Sequence, residues 1–273
     1  SHITDEGIEV AAVRGVLNSM MSLLEQDATH VGIATDQVVE SFRNDLFDGY
    51  KTGEGTPPEL FSQFPLLEAA LDAAGFVVFS MKEHEADDAM GAAAVKAATD
   101  PRVTRVLICT PDKDLAQVVN DQSGIVQFDR RKEVIYDEEG VREKFGVSPE
   151  SIPDYLALVG DTADGIPGLL GWGAKSSSTM LAHYKHLENI PTNDEEWEVV
   201  PRGASKLSST FTSQFEEALL YRQLATLDLS APVMENVDEL FWTGPKSHFL
   251  DICEHLDAQK AFEKADALAN TIF

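Results

Sequence analysis

The chain has 273 residues, 43% hydrophobic and 25% charged, enough for one large α/β domain or two smaller ones with a sizeable core. Its 47 acidic and 21 basic residues give a net charge of −26; that excess argues against holding nucleic acid by a basic surface, unless divalent cations or local patches reverse the sign. No run of eighteen apolar residues predicts a membrane span, "SHITDEGIEV" lacks the pattern of a secretory leader, and two cysteines, Cys109 and Cys253, read as reduced thiols in a cytoplasmic protein.

In chain order, residues 8–26 carry apolar positions at helical spacing and predict a helix. "THVGIATD" (29–36) reads as a short buried strand ending in Asp36. An amphipathic stretch follows, then the polar break "KTGEGTPP" (51–58), a helix over 58–74 and a strand "GFVVFS" (75–80). A helix over 85–98 and a strand "RVTRVLICT" (102–110), with Cys109 inside it, complete the alternation. "PDKDLAQVV" is an acidic turn and short helix, and "GIVQFDRRKEVIY" (124–136) a hairpin at the sheet edge. From 137 onward the pieces are helical, joined by the tight connection "GIPGLLGWG" (165–173) and a loop over 191–203. Strand–helix alternation predicts an α/β class with a mostly parallel twisted sheet and helices on both faces, followed by a helical C-terminal part.

Ligands of an open parallel sheet bind beyond the carboxyl ends of its strands. Asp36 ends one strand, Asp112 and Asp114 follow another, and Glu85, Asp87 and Asp88 come shortly after a third. Asp161 and Asp164 stand about one helical turn apart in "VGDTADGIPG". Helix capping explains any one of these groups, since acids suit the positive end of a helix. A shared site is the alternative. There, clustered carboxylates would raise one another's pKa values until cations bind. All-oxygen ligation favours Mg²⁺ or Mn²⁺ over zinc. Two such ions about 4 Å apart would activate a water and stabilise the leaving oxygen of a phosphodiester.

The segments "EADD" (85–88), "TPDKDL" (110–115) and "GDTADGIPGLLGWGAKS" (160–176) resemble, in order and spacing, motifs of the 5′-nuclease family. That family includes the 5′→3′ exonuclease domain of bacterial DNA polymerase I, phage 5′-exonucleases and flap endonucleases. "ATDQVVESFRNDLFDGYKTG" (34–53) and "EEALLYRQLATL" (216–227) are similar to further family segments, and the likeness runs from about residue 8 to about 230. The resemblance implies a PIN-like nuclease domain over residues 1–148 and a helical subdomain with a helix–hairpin–helix over 149–273. It places Asp36, Glu85, Asp87, Asp88, Asp112, Asp114, Asp161 and Asp164 on the family's metal-site acids. Lys51 falls on a lysine that contacts the reacting phosphate at the base of a helical arch, here "KTGEGTPPELFSQF". Tyr50 would stack on or steer a nucleotide, and Arg43 would bind phosphate. Gly168, Gly171 and Gly173, with Lys175 and Ser176, match the helix–hairpin–helix, whose backbone would meet a DNA phosphate or a K⁺ ion.

The chain also departs from the family. The family opens with a strand ending in a metal-binding Asp, and this chain begins after it; Asp5 lies too close to the first helix to replace that residue. Gly165 stands where Asn is usual, Trp172 replaces a small aliphatic residue, and "SSS" replaces a Thr-Ala pair. The expected activity is divalent-metal-dependent hydrolysis of DNA near 5′ ends, flaps or junctions, in repair or replication. The expected protein is a monomer in the cytoplasm, at the bacterial nucleoid and without membrane contact. The competing expectations are a DNA-junction binding protein with impaired catalysis, and a PIN-type RNA nuclease.

Overall fold

The computed structural model describes residues 2–272 apart from 5, 27 and 55, so the reading of Asp5 lies outside the described residues. Along the chain, helices and strands follow in the order α1 (Ala11–Glu25), β1 (Gly32–Asp36), α2 (Phe42–Leu46), α3 (Pro58–Phe61), α4 (Phe64–Ala73), β2 (Val77–Met81), α5 (Ala86–Ala98) and β3 (Val106–Ile108). Then come β4 (Ile125–Asp129), β5 (Val134–Tyr136), α6 (Glu138–Phe145), α7 (Ile152–Val159), α8 (Ala174–Tyr184), α9 (Ala204–Ser213), α10 (Phe215–Ala225), α11 (Phe249–His255) and α12 (Gln259–Ile272). No helix among the described residues is long and apolar enough to cross a membrane. The chain divides into two compact units. Unit 1 comprises Ser1–Val39, Gly53–Ala86 and Pro232–Phe273; unit 2 comprises Glu40–Thr52 and Asp87–Ala231.

In unit 1, β1 and β2 pair in parallel, Gly32 opposite Val77 and Asp36 opposite Met81. The core forms because α1 places Val13, Leu17, Met21 and Leu24 on one stripe at helical spacing, all buried. That stripe joins Ala70 and Leu71 of α4, Phe249 and Cys253 of α11, and Ala261 and Ala265 of α12. Trp242 is buried with them, its indole N–H donating to the Ala74 carbonyl at 2.9 Å. The helix expected over 58–74 is two helices. Pro65 has no N–H to donate into a continuous turn, so the run restarts at Phe64. The Gln63 side chain at the break accepts from the Ala12 amide at 3.0 Å and so caps α1.

Unit 2 pairs β3 with β4 in parallel and β4 with β5 antiparallel. The strand expected over 102–110 is only three residues long, because Val103 turns back onto the Asp100 carbonyl and Thr110 onto that of Ile108. Cys109 is consequently exposed rather than buried in a strand. The core is built around α7, whose Ile152, Leu156 and Leu158 meet Ala218 and Leu224 of α10 and Met180 and Leu181 of α8. Trp172 is buried against Trp197 and Phe211, and its N–H donates to the Leu207 carbonyl. The residue that departs from the family pattern therefore fills core volume. Trp197 also anchors the stretch read as a loop over 191–203, donating to the Pro191 carbonyl at 2.7 Å.

Candidate metal centre

Three acids of unit 2 converge. Asp114 opens a short 3₁₀ turn just after β3, while Asp161 and Asp164 sit in the turn beyond α7. One carboxylate oxygen from each lies within 4.8 Å of the others, and all three residues are buried. The turn is closed by two backbone hydrogen bonds between Asp161 and Ile166, 2.8 and 2.7 Å long. It requires Gly165: its φ is +77°, and a Cβ there would stand 2.1 Å from the Gly49 carbonyl oxygen. Gly168 is equally constrained at φ +70°, packed on the amide of Gly160. Residue 49 thus passes too close to admit any side chain at 165 in this chain.

The electrostatics are those of an anionic cluster short of cations. Burial first, then the charges of Asp164, Asp112, Asp87 and Asp161, hold the Asp114 carboxyl well above the usual aspartate range. Asp114 Oδ1 is buried with no hydrogen-bond partner. Two ammonium groups stand against the other members. Lys51 Nζ lies 2.9 Å from Asp164 Oδ1, and Lys113 Nζ 2.7 Å from Asp161 Oδ2. Burial opposes the Lys113 ammonium, but its hydrogen bond to Asp161 and the charges of Asp161, Asp114 and Asp112 hold its pKa above the usual lysine value. An orphaned buried carboxylate oxygen in an all-carboxylate donor set fits a hard divalent cation such as Mg²⁺ or Mn²⁺. Lys113 was not singled out in the sequence; its signal was its place between two acids in "DKD".

The other expected site residues fall into three groups. Asp87, half-buried on the first turn of α5, and exposed Asp112 add charge to the cluster without joining the triad. Asp112 is anchored through its carbonyl, which accepts from the Gln127 side chain on β4. Asp36 and Glu85 belong to unit 1. There Asp36 accepts from the Ala86 amide at 2.7 Å, a capping contact at the start of α5, and Glu85 is buried.

Arg43 and Asp88 have found one another. Their bidentate pair, 2.7 and 2.8 Å, is buried, with Arg43 2% exposed. Arg43 also donates to the carbonyls of Leu224 and Thr226, and Asp88 accepts from the Asp228 amide. The expected phosphate-binding Arg43 and metal-binding Asp88 are corrected accordingly. An arginine with this many donors committed inside the protein is a structural tie between α2, α5 and the end of α10. Tyr50 is corrected too: it is 4% exposed in the core of unit 2, so no nucleotide face reaches its ring. Lys51 lies over that ring, 5.6 Å from its centre.

In the glycine turn, Gly168 and Gly171 have left-handed backbones, as a tight turn requires. Gly173 does not; it is extended and precedes α8. The Ser176 hydroxyl is held locally, bonded to both the amide and carbonyl of Gly173 at 3.0 Å. Lys175 is exposed and forms no ion pair among the described residues.

The chain matches the 5′-3′ exonuclease, N-terminal resolvase-like domain over residues 1–146 and the 5′-3′ exonuclease, C-terminal SAM fold over residues 147–248. The chain belongs to the 5′-3′ exonuclease family. It is 33% identical over 271 residues to the DNA polymerase I of Bacillus caldotenax, covering 96% of this chain and 30% of that protein. It therefore spans under a third of that relative. The fold is shared with a bacteriophage T5 flap endonuclease in a pseudo-enzyme–product complex with DNA and metal ions, with a TM-score of 0.64 at 18% identity and 93% and 91% of the two chains covered. The catalytic core of Rad2 in complex with DNA substrate gives a TM-score of 0.61 at 15% identity, covering 97% and 86%. The PIN-like α/β part with its helical, SAM-like partner is thus the architecture of this 5′-3′ exonuclease family member.

Proposed function

We propose that the chain hydrolyses DNA phosphodiesters near 5′ ends, flaps or junctions, as a 5′→3′ exonuclease or 5′-flap endonuclease in bacterial replication and repair. One observation carries this reading: the buried Asp114, Asp161 and Asp164 carboxylates converge, and one oxygen of Asp114 has no hydrogen-bond partner. Those three would hold a divalent ion, Mg²⁺ or Mn²⁺. Asp36, Glu85, Asp87 and Asp112 are further ligand candidates by resemblance, and two ions are part of the proposal. The chemistry such ions supply when bound is activation of a water and neutralisation of charge at the reacting phosphate.

The chain's own residues do the rest. Lys51, partly exposed beside Asp164, would shift its ammonium from the carboxylate to a phosphate oxygen, where charge develops as the bond breaks. Lys113 balances Asp161 until a cation enters. The glycine turn with Lys175 would hold a duplex by its backbone, and a K⁺ ion at that turn belongs to the same proposal. The division at residue 148 is likewise proposed as one between an α/β part and a duplex-gripping part, although the centre draws Asp161 and Asp164 from beyond it. The protein would act as a monomer in the cytoplasm, at the nucleoid.

The test is incubation with a labelled 5′-flap duplex in Mg²⁺ and in EDTA, beside Asp114→Ala. Metal-dependent cleavage that the variant lacks supports the reading. Tight junction binding with no cleavage in Mg²⁺ supports the binding-protein alternative, and preference for an RNA flap the RNA nuclease.

A further inference from the structure

Beside the glycine turn of unit 2 lies an open cleft of about 500 Å³. It is lined by Leu170 and Gly171 of the turn, by Arg202 just before α9, and by Lys206, Ser209 and Thr210 within α9. Its chemistry is opposite to that of the chain as a whole. Acids outnumber bases by more than two to one in the sequence, yet no carboxylate lines this cleft among the described residues. The cleft presents two cations and two hydroxyls.

Among the described residues the two cations also have no carboxylate partner, unlike Arg43, Lys51, Lys113, Arg142 and Arg222 of the same unit, and they share this with Lys175 just after the neighbouring turn. Arg202 and Lys206 are exposed, four residues apart, and neither forms an ion pair among the described residues. Two like charges lining one cleft repel unless an anion lies between them. The approach is open as well. Leu170 is 81% exposed, and a Cβ added at Gly171 would meet only a Leu207 methyl group, at 3.9 Å. The first turn of α9 carries no acid and no side-chain cap, so its amides add to the positive field.

We infer that this cleft binds the sugar–phosphate backbone of duplex DNA, extending the grip of the glycine turn onto α9. Arg202 and Lys206 contact phosphates, the Ser209 and Thr210 hydroxyls are further donors, and Leu170 packs on a sugar. These contacts are to phosphate and sugar, which carry no sequence information, so the binding is independent of sequence. The inference rests on the proposal that DNA is the substrate.

The experiment is fluorescence anisotropy on labelled duplexes of two unrelated sequences, in EDTA, over a KCl series. The full chain is compared with Arg202→Gln/Lys206→Gln and with the charge-conserving Arg202→Lys/Lys206→Arg. Neutralising both cations is expected to weaken binding about tenfold or more for both sequences. It should reduce the slope of log K against log salt by about 2, one unit per lost phosphate contact. The charge-conserving pair retains the slope. Melting curves establish that all three proteins are folded, as exposed positions predict. Unchanged affinity and slope in the neutral variant, while the wild type binds and cleaves flap DNA, overturn this inference alone. A wild type that neither binds nor cleaves DNA overturns it together with the function it rests on. A variant that loses binding to a poly-glutamate chain but not to duplex assigns the cleft to an acidic protein segment, and also overturns it.

Discussion

Asp114 shows how one side chain links folding to function. Its carboxyl is raised above the ordinary value of 3.8 by burial and by four neighbouring acids. A group with a raised pKa holds its proton more tightly in the folded chain than in the unfolded one. Its favourable contribution is complete below 3.8 and is lost as pH rises through the folded pKa. In the metal-free protein this one contribution should therefore fall away as pH climbs above about 4, and saturating Mn²⁺ should restore the loss. Asp114→Asn removes the charge but keeps the shape. It should raise the melting temperature of the metal-free protein by a few degrees and weaken Mn²⁺ binding in calorimetry; a lower melting point with unchanged Mn²⁺ affinity would contradict the assignment. Arg43 makes the complementary case. Arg43→Ala leaves Asp88 buried and unpaired, and chemical denaturation should show a loss of about 3–5 kcal/mol. Removing both partners in Arg43→Met/Asp88→Leu should recover much of that loss. If the double variant were no more stable than the single one, the pair would not be the structural tie described here. The family resemblance offered Arg43 as a phosphate ligand, and nothing in the sequence showed that its guanidinium would turn inward to Asp88.

The decisive element is the turn between α7 and α8. Its two acids were legible from their three-residue spacing, and its glycines from composition. What the spacing could not show is the reason for Gly165, which is the Gly49 carbonyl crossing it from 116 residues away in the chain. Gly165→Ala places a methyl group against the Gly49 carbonyl in a left-handed backbone. It should cost well over 1 kcal/mol. It should also loosen Lys51, whose amide donates to the Asp164 carbonyl at 2.9 Å. The melting temperature and the flap-cleavage rate should fall together; a normal cleavage rate in a destabilised protein would separate the turn from the chemistry. The split of the expected helix into α3 and α4 had a visible cause in Pro65. The shortening of β3 did not, because a strand ends where pairing ends, and that is a property of its neighbour.

At the scale of the whole molecule, the charge of −26 sets the conditions under which the chain works. Such an excess repels itself in the folded state and repels DNA at a distance. In EDTA, added KCl should raise the melting temperature by screening this repulsion while lowering DNA affinity by competing at the few cationic contacts. Affinity that rose with salt instead would mean that no phosphate contact is made. The sequence by itself determined the α/β class, the family and the set of acids from which a metal centre is drawn, because periodicity and motif spacing are local and survive in one dimension. Tertiary structure decided which acids meet: Asp114 with Asp161 and Asp164, Asp88 with Arg43, each pair separated by tens of residues. It also decided that Tyr50 is core and that Arg202 and Lys206 stand unpaired. The reason is physical. A charge has the same letter whether it is neutralised by a neighbour or left facing solvent, and only the folded chain supplies the neighbour.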